Sequence, residues 1–354
     1  MDSSRQDLKA MLPAELNELV GELGQPAYRT QQILDWLYVK GVSEVGQMSN
    51  LSKSLRILLA ERTRITSLSQ VERWESATGE AVKFLFELPT GQRVESVLIV
   101  DGDRRTVCLS SQVGCPLDCK FCATGRMGLI ANLTAGEIVD QLLQVSLYAR
   151  ERGERVTNVV MMGMGEPLLN YEQVVRALRL MRLEQGLGLG GRKITVSTAG
   201  YLPGIRKLIA EGLNVGLAIS LNASTDEIRE QLMPINRKYK IADLLGVARE
   251  FFDRRGYRVT FEYVLMAGIT DADEDALRLT ALTRDTPCKI NLIPYNELED
   301  GGLYRRPARR RLEQFYRLLR DREIEFTVRE SRGRDIDAAC GQLYHHQEKI
   351  RAAL

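Results

Sequence analysis

The densest chemistry in this 354-residue chain lies in Cys115-Pro-Leu-Asp-Cys119-Lys-Phe-Cys122, three cysteines at C-x3-C-x2-C spacing. Clustered thiolates ligate metal centres. A structural zinc site closes with four ligands, and the loop itself offers no fourth Cys or His. Cys108 lies back in the preceding strand-like run, and the two histidines, His345 and His346, stand near the C-terminus. A cubane iron–sulfur cluster ordinarily takes four cysteines. With three, one iron keeps an open position that a substrate or cofactor can fill. Zinc, or three core cysteines, is the alternative reading of the spacing. Cys108 and Cys340, read singly, are small apolar fillers. Cys288 sits in an apolar run and reads the same way.

The elements around the loop are legible. A strand-like run, 106–111, precedes it. Thr134 and Glu137 form a capping box ahead of an apolar-periodic helix. Beyond the loop the two periodicities alternate. Strands are expected at 106–111, 156–162, 193–197, 214–221, 258–265 and 288–294, and helices at 134–150, 171–184, 201–211, 225–232, 241–255 and 273–284. A last helix near 308–320 leads to a strand at 324–329. Such alternation implies βαβ units and a parallel sheet. The expected fold class is α/β, an open, partial (β/α)6 TIM-like barrel with a small N-terminal helical accessory domain. Chemistry in such barrels gathers at the C-terminal ends of the strands.

Those strand ends carry polar residues. Met161-Met-Gly163-Met-Gly165-Glu166-Pro167 ends the second strand. Its glycines expose backbone to a ligand, and Glu166 can accept a hydrogen bond from an ammonium. Ser197-Thr198 ends the third strand, Ser220-Leu221-Asn222 the fourth, and Asn296 follows the sixth. Each alone is an ordinary turn or cap. Recurring at one end of successive strands, they point to a shared pocket.

The remaining organisation is simpler. Helical periodicity at Ala14 to Leu23, Arg29 to Tyr38 and Leu51 to Ala60 makes residues 1–75 an accessory module. It holds no cluster of catalytic residue types, so binding is its expected task, with Trp36 and Tyr38 as core. Residues 76–100 form a linking strand pair, 101–335 the core and 336–354 a C-terminal segment. Net charge is +2, but residues 301–354 carry 13 Lys/Arg against 8 Asp/Glu, and the first 300 carry 36 against 39. Arg305-Arg306-Pro-Ala-Arg309-Arg310-Arg311 is either a solvated helix start or a phosphate-contacting patch. No apolar run reaches the roughly 18 residues that span a bilayer, and Met1 to Lys9 does not resemble a signal peptide. Uneven cysteine placement and a labile cluster lead to a cytoplasmic expectation.

The loop, with Phe121 before its third cysteine, resembles the radical S-adenosylmethionine (SAM) signature. The wider match is to the radical SAM RNA methyltransferases that act on carbon 2 of adenine in ribosomal and transfer RNA. It runs over nearly the full chain, through Tyr28-Arg29, Arg93-Val-Glu95-Ser96, Cys108-Leu-Ser-Ser-Gln-Val-Gly-Cys115, Phe121-Cys-Ala-Thr-Gly125, Met162-Gly-Met-Gly-Glu-Pro, Leu232-Met-Pro-Ile-Asn236 and Asp335-Ile-Asp-Ala-Ala-Cys340-Gly-Gln-Leu. Tyr201-Leu-Pro and Ser220-Leu-Asn-Ala are more similar to the housekeeping enzymes than to the resistance relatives that methylate carbon 8.

The resemblance implies that Cys115, Cys119 and Cys122 hold one 4Fe-4S cluster. It implies that Gly165, Glu166, Ser197, Ser220, Leu221, Asn222 and Asn296 bind SAM, two molecules per turnover. Cys340 is then the methyl carrier, Glu95 the base and Cys108 the residue that resolves the covalent intermediate. The chemistry explains the need for a carrier. Carbon 2 of adenine is electron-poor and cannot displace the methyl of SAM, whereas a thiolate can. Cys340 takes a methyl group, and a 5′-deoxyadenosyl radical from a second SAM removes one of its hydrogens. The carbon radical adds to adenine, Glu95 removes the carbon 2 proton, and Cys108 attacks Cys340, leaving a Cys108–Cys340 disulfide. The implied partners are 23S rRNA, tRNA and an electron donor such as flavodoxin or ferredoxin, with no membrane and a monomeric enzyme. The rivals are carbon-8 methylation and a non-catalytic, zinc-stabilised RNA-binding protein.

Overall fold

The computed structural model describes residues 5–298 and 302–343. His345 and His346 lie outside the described residues. The chain begins with β1 (Gln6–Asp7), α1 (Pro13–Glu22), α2 (Tyr28–Leu34), α3 (Lys53–Arg62) and β2 (Thr63–Arg64), which pairs in parallel with β1. Leu16, Leu19, Val20, Ile33, Leu34, Leu55 and Leu59 give these helices one buried face. Tyr38 is buried, with its hydroxyl donating to the Lys9 carbonyl at 3.1 Å. Trp36 is only half-buried. Its indole N–H donates to Asn50 Oδ1, and Lys40 Nζ lies 3.4 Å from its ring centroid.

An antiparallel meander follows: β3 (Ser69–Glu75), β4 (Ala81–Glu87), β5 (Arg93–Asp101) and β6 (Arg104–Cys108). Then comes a small hairpin of β7 (Gln112–Cys115) and β8 (Gly128–Asn132), with the short helix α4 (Ala123–Arg126) between its arms. The remainder alternates: α5 (Ala135–Glu151), β9 (Asn158–Met161), α6 (Tyr171–Met181), β10 (Ile194–Thr198), α7 (Leu202–Ala210), β11 (Gly216–Ser220), α8 (Asp226–Leu232), α9 (Ile241–Arg255), β12 (Val259–Leu265), α10 (Asp273–Thr283), β13 (Cys288–Pro294), α11 (Arg309–Arg320) and β14 (Phe326–Val328).

One ten-stranded sheet runs β14-β13-β12-β11-β10-β9-β6-β5-β4-β3. From β6 through β14 every pairing is parallel, as the α/β alternation predicts. The last strand, β14, joins this parallel set rather than standing apart from it. The strand pair expected between two domains is part of the same sheet, extended outward by β3. That edge strand is mostly polar and almost wholly exposed, and its charged residues discourage edge-to-edge pairing. β12, by contrast, is buried at nearly every position, as a parallel strand covered on both faces must be.

The helix after the cysteine loop starts as its capping box requires. Thr134 Oγ1 accepts from Glu137 N at 3.3 Å, and Glu137 Oε2 accepts from Thr134 N at 2.8 Å. The accessory module docks on this helix. Lys9 Nζ lies 2.5 Å from Asp140 Oδ1 with both side chains buried, and Asp140 Oδ2 accepts from Leu68 N at 2.7 Å. Arg176 of α6 reaches Glu15 and the Ala10 carbonyl. No helix among the described residues is long and apolar enough to cross a membrane.

Candidate active site

The C-terminal ends of the parallel strands surround an open cavity of about 170 Å³. The cysteine loop forms one wall. Cys115 ends β7 and Cys122 caps α4, with its N–H donating to the Cys119 carbonyl at 3.1 Å. Between them Asp118 adopts positive φ (51°). The loop is pinned from two directions. Lys120 N donates to the Leu232 carbonyl at 2.9 Å, and Ala123 N to the Gly341 carbonyl at 2.8 Å. A side chain at Gly125 would meet the Cys119 backbone, so the glycine lets the loop fold back on α4. All three thiols line the cavity. Burial pushes Cys115 up to about 12, Cys119 well above its ordinary value and Cys122 upward too. As thiolates they repel one another; iron cations would remove both penalties. Among the described residues no three Cys, His, Asp or Glu side chains converge as a single-ion site requires. The three thiols do share one cavity wall, where residues that would hold a cluster must stand.

Opposite the loop lie Gly165, Glu166, Ser197, Ser220, Asn222 and Asn296, all lining the same cavity. The turn after β9 explains its glycines differently from ligand access alone. A Cβ at Gly163 would meet the Leu109 backbone at 2.7 Å, and one at Gly165 (φ +99°) would meet Gln112 Cβ at 2.5 Å. Both glycines let this turn pass against the chain leading to the cysteine loop. Glu166 is buried, and Oε2 accepts from Ala199 N at 2.7 Å while Oε1 accepts from Leu168 N at 3.2 Å. Burial raises its carboxyl to about 7, against the lowering effect of those bonds. Asn222 holds a left-handed backbone (φ 57°), and its Oδ1 accepts from Val264 N at 3.1 Å. Asn296 Nδ2 donates to the Cys340 carbonyl at 3.2 Å, while its buried Oδ1 has no hydrogen-bond partner among the described residues. Leu221 is fully buried and does not line the cavity. Its carbonyl accepts from Arg229 Nε at 3.0 Å.

Arg229 went unnoticed in the sequence. Fully buried, it also donates to the carbonyls of Ala199 and Ser220 and to Asn236 Oδ1. It thereby ties two strand ends to the Leu232–Asn236 segment, and hence to the cysteine loop. Glu262 and Arg329 line the cavity and were missed as well. A charged residue inside an apolar strand, as in Phe261-Glu262-Tyr263, is the signal that could have found Glu262.

Cys340 lines the cavity beside the three loop cysteines, whereas Cys108 and Glu95 do not. Cys108 is buried at the end of β6, and burial pushes its thiol up to about 12, with Cys340 adding to the rise and Arg329 opposing it. All six cysteines are free, so a Cys108–Cys340 disulfide is not a standing bond of this structure. Glu95 is fully buried in β5, 3.4 Å from Lys83 Nζ. Much of the basic run is paired within the chain at its surface. Arg306 pairs with Glu330, Arg309 with Glu313 and Arg311 with Asp273, and Arg310 is exposed.

A partial parallel barrel with three thiols and a ring of polar strand ends around one cavity defines a radical SAM-type site. Residues 109–280 match the Radical SAM superfamily, and residues 6–65 match the Ribosomal RNA large subunit methyltransferase N-terminal domain. The chain is 44% identical over 346 residues to a "Probable dual-specificity RNA methyltransferase RlmN" of Symbiobacterium thermophilum, covering 98% of this chain and 93% of the relative. It is 46% identical to the "Dual-specificity RNA methyltransferase RlmN" of Geobacter sulfurreducens, over 95% of this chain and 91% of that one. A crystal structure of a radical SAM methyltransferase from Sphaerobacter thermophilus superposes with a TM-score of 0.92 at 45% identity, covering 96% of this chain and 99% of that one. The chain belongs to the RlmN family of radical SAM RNA methyltransferases. Membership in the superfamily implies a 4Fe-4S cluster and SAM.

Proposed function

We propose that this enzyme methylates carbon 2 of adenine in 23S rRNA and in tRNA through a protein-bound methyl group. The observation that carries the reading is that Cys340 shares one cavity with Cys115, Cys119, Cys122 and Glu166. A potential carrier thiol therefore stands beside the pocket that would hold the methyl donor. Cys115, Cys119 and Cys122 would ligate three irons of the cluster. Glu166 would accept from the ammonium of SAM, and Ser197, Ser220, Asn222 and Asn296 would bind its polar groups, with the backbone of Gly165 completing the wall. The unpartnered Asn296 Oδ1 supports that assignment, because a buried acceptor is costly until a donor arrives.

When bound, the cluster and SAM supply the radical that removes a hydrogen atom from the methyl group on Cys340. The chain's own residues do the rest. The Cys340 thiolate displaces the methyl from one SAM, with the S–C pair leaving on the sulfonium sulfur. After the carbon joins adenine, the adduct radical gives up one electron, for which the oxidised cluster would be the acceptor, and Glu95 takes the proton from carbon 2. Cys108, as thiolate, attacks the Cys340 sulfur. The S–C bond breaks, the departing carbon takes a proton to become a methyl group, and external thiols reduce the resulting disulfide. Two SAM are consumed, an electron donor such as flavodoxin or ferredoxin reduces the cluster, and the enzyme acts as a monomer.

The test uses holoenzyme, defined rRNA and tRNA fragments, SAM and a reductant. Mass spectrometry of the nucleosides is expected to give 2-methyladenosine, and 8-methyladenosine would assign the other branch. Cys108→Ala is expected to trap a protein–RNA adduct that ribonuclease collapses on a denaturing gel, and Cys108→Ala/Cys340→Ala to trap none. Normal turnover by Cys108→Ala would remove the resolving role.

A further inference from the structure

One buried lysine has no part in the chemistry so far. Lys83 stands in β4 within Ala81-Val-Lys83-Phe-Leu-Phe, and its side chain is fully shielded from solvent. Strand pairing defines its surroundings. Lys83 lies opposite Val97 of β5, Glu95 opposite Leu85 of β4, and Val97 opposite Cys108 of β6. Residues two apart along a strand share a face. Lys83, Glu95 and Cys108 therefore lie on one face of the sheet. Lys83 Nζ sits 3.4 Å from Glu95 Oε1. The same ammonium donates to the Asp337 carbonyl at 3.3 Å, and Asp337 stands three residues before Cys340. The Trp74 ring centroid, from β3, lies 4.9 Å away. One cation thus touches both the carboxylate read as the base and the segment that bears the carrier thiol.

We infer that Lys83 is the positioning residue of adduct resolution, holding the Glu95 carboxylate ionised and oriented and coupling it to the docked segment that carries Cys340. The inference rests on the reading of Glu95 as the base. A carboxylate sealed from water favours its neutral form unless a cation stands beside it, and a neutral carboxyl cannot take a proton. In the step concerned, the proton of carbon 2 passes to Glu95 and the C–H electron pair stays in the adenine ring. Lys83 gains and loses no proton. The bond to the Asp337 carbonyl adds timing, because the ammonium that prepares Glu95 is the group that senses whether the carrier segment is in place.

This predicts a defect confined to one step. Lys83→Gln keeps a donor for the Asp337 carbonyl but removes the charge. The holoenzyme variant is expected to load methyl on Cys340, read by mass spectrometry of the protein, and to cleave SAM at near wild-type rate. Release of methylated RNA should slow by about 10- to 100-fold, with the adduct accumulating on denaturing gels, within the roughly 10²- to 10⁴-fold span of general base catalysis. Lys83→Arg restores the charge and is expected to recover release to within about threefold and clear the adduct. Glu95→Gln is the control and should trap the adduct at least as strongly. If Glu95→Gln releases RNA normally, the base assignment itself fails. If Glu95→Gln traps the adduct while Lys83→Gln releases RNA at the wild-type rate, the Lys83 inference alone is overturned. Loss of Cys340 methylation in both Lys83→Gln and Lys83→Arg would show a merely structural residue and overturn it too. Should Lys83→Gln not assemble, the double variant Lys83→Met/Glu95→Gln removes both charges. It must load Cys340 and trap adduct no more than Glu95→Gln alone, and an additive defect refutes the coupling.

Discussion

Lys9 and Lys83 are both buried against a carboxylate, yet the two pairs are built differently. Where the accessory module meets α5, Lys9 Nζ approaches Asp140 Oδ1 at 2.5 Å, and the other carboxylate oxygen accepts from Leu68 N and Gln144 Nε2. Every partner there belongs to a packed element or its immediate flank. Under the cavity, Lys83 and Glu95 stand 3.4 Å apart, and the second partner of the lysine is a carbonyl of the C-terminal segment. The first arrangement joins two parts of the fold. The second leaves a charge beside the segment that carries Cys340. Burying a pair is a poor route to stability unless its hydrogen-bonding is complete, so stability should concentrate in the first region and turnover in the second.

The comparison breaks most sharply at the thiols. Cys115→Ala, Cys119→Ala or Cys122→Ala is expected to abolish SAM cleavage, measured as 5′-deoxyadenosine, while the apoprotein melts close to wild type. A wild-type rate in any of the three removes that residue from the ligand set. On the docking side the pattern should invert. Lys9→Met leaves Asp140 buried without its cation and should cost about 3–5 kcal/mol, read from the denaturant midpoint. SAM cleavage per folded, loaded molecule should be unchanged, and its loss would merge the two regions into one functional unit.

A smaller effect sharpens the cavity side. Burial holds the Glu166 carboxyl at about 7, above its ordinary value. The charged form that attracts an ammonium is thus present above that pH and is lost as pH falls through it. SAM affinity in the loaded enzyme should weaken below about pH 7. Glu166→Gln should bind SAM on the order of tenfold more weakly, in keeping with about 1.4 kcal/mol for one charge-assisted bond, and should lack that pH dependence. An identical pH profile in the variant would remove Glu166 from SAM binding. The smallest effect is expected at the surface of α11. Arg309→Glu/Arg310→Glu should lower the log–log salt slope of RNA binding by roughly one unit per lost phosphate contact, with cluster content unchanged. Arg311 is left alone because it pairs with Asp273. An unaltered slope would make this a solvated helix face.

Much of the fold could be read from local patterns, and the failures have physical causes. The strand at Ser69–Glu75 escaped because Ser-Gln-Val-Glu-Arg-Trp-Glu lies on the sheet edge and buries almost nothing, so it carries no apolar alternation. The hairpin of β7 and β8 escaped for the same reason on its exposed arm. Glycines at 163 and 165 line the cavity, and they also have a steric need, set by Leu109 and Gln112, that the sequence did not disclose. Arg229, Lys83 and Glu262 left no pattern beyond a charge in an apolar setting, since a partner dozens of residues away is invisible to periodicity.

By itself the sequence determined the cysteine spacing, the α/β alternation, the capping box at Thr134 and the polar residues at successive strand ends. Each follows from contacts within a few residues, where chain geometry alone relates position to face. Only the tertiary structure decided that Cys340 joins the loop cysteines at one cavity, that Cys108 and Glu95 do not line it, and that Lys83 links Glu95 to the segment of Asp337. These relations span up to 254 residues. They depend on which strands neighbour one another in the sheet and on how deeply burial removes water from a charge, and neither is encoded in any single stretch of the chain.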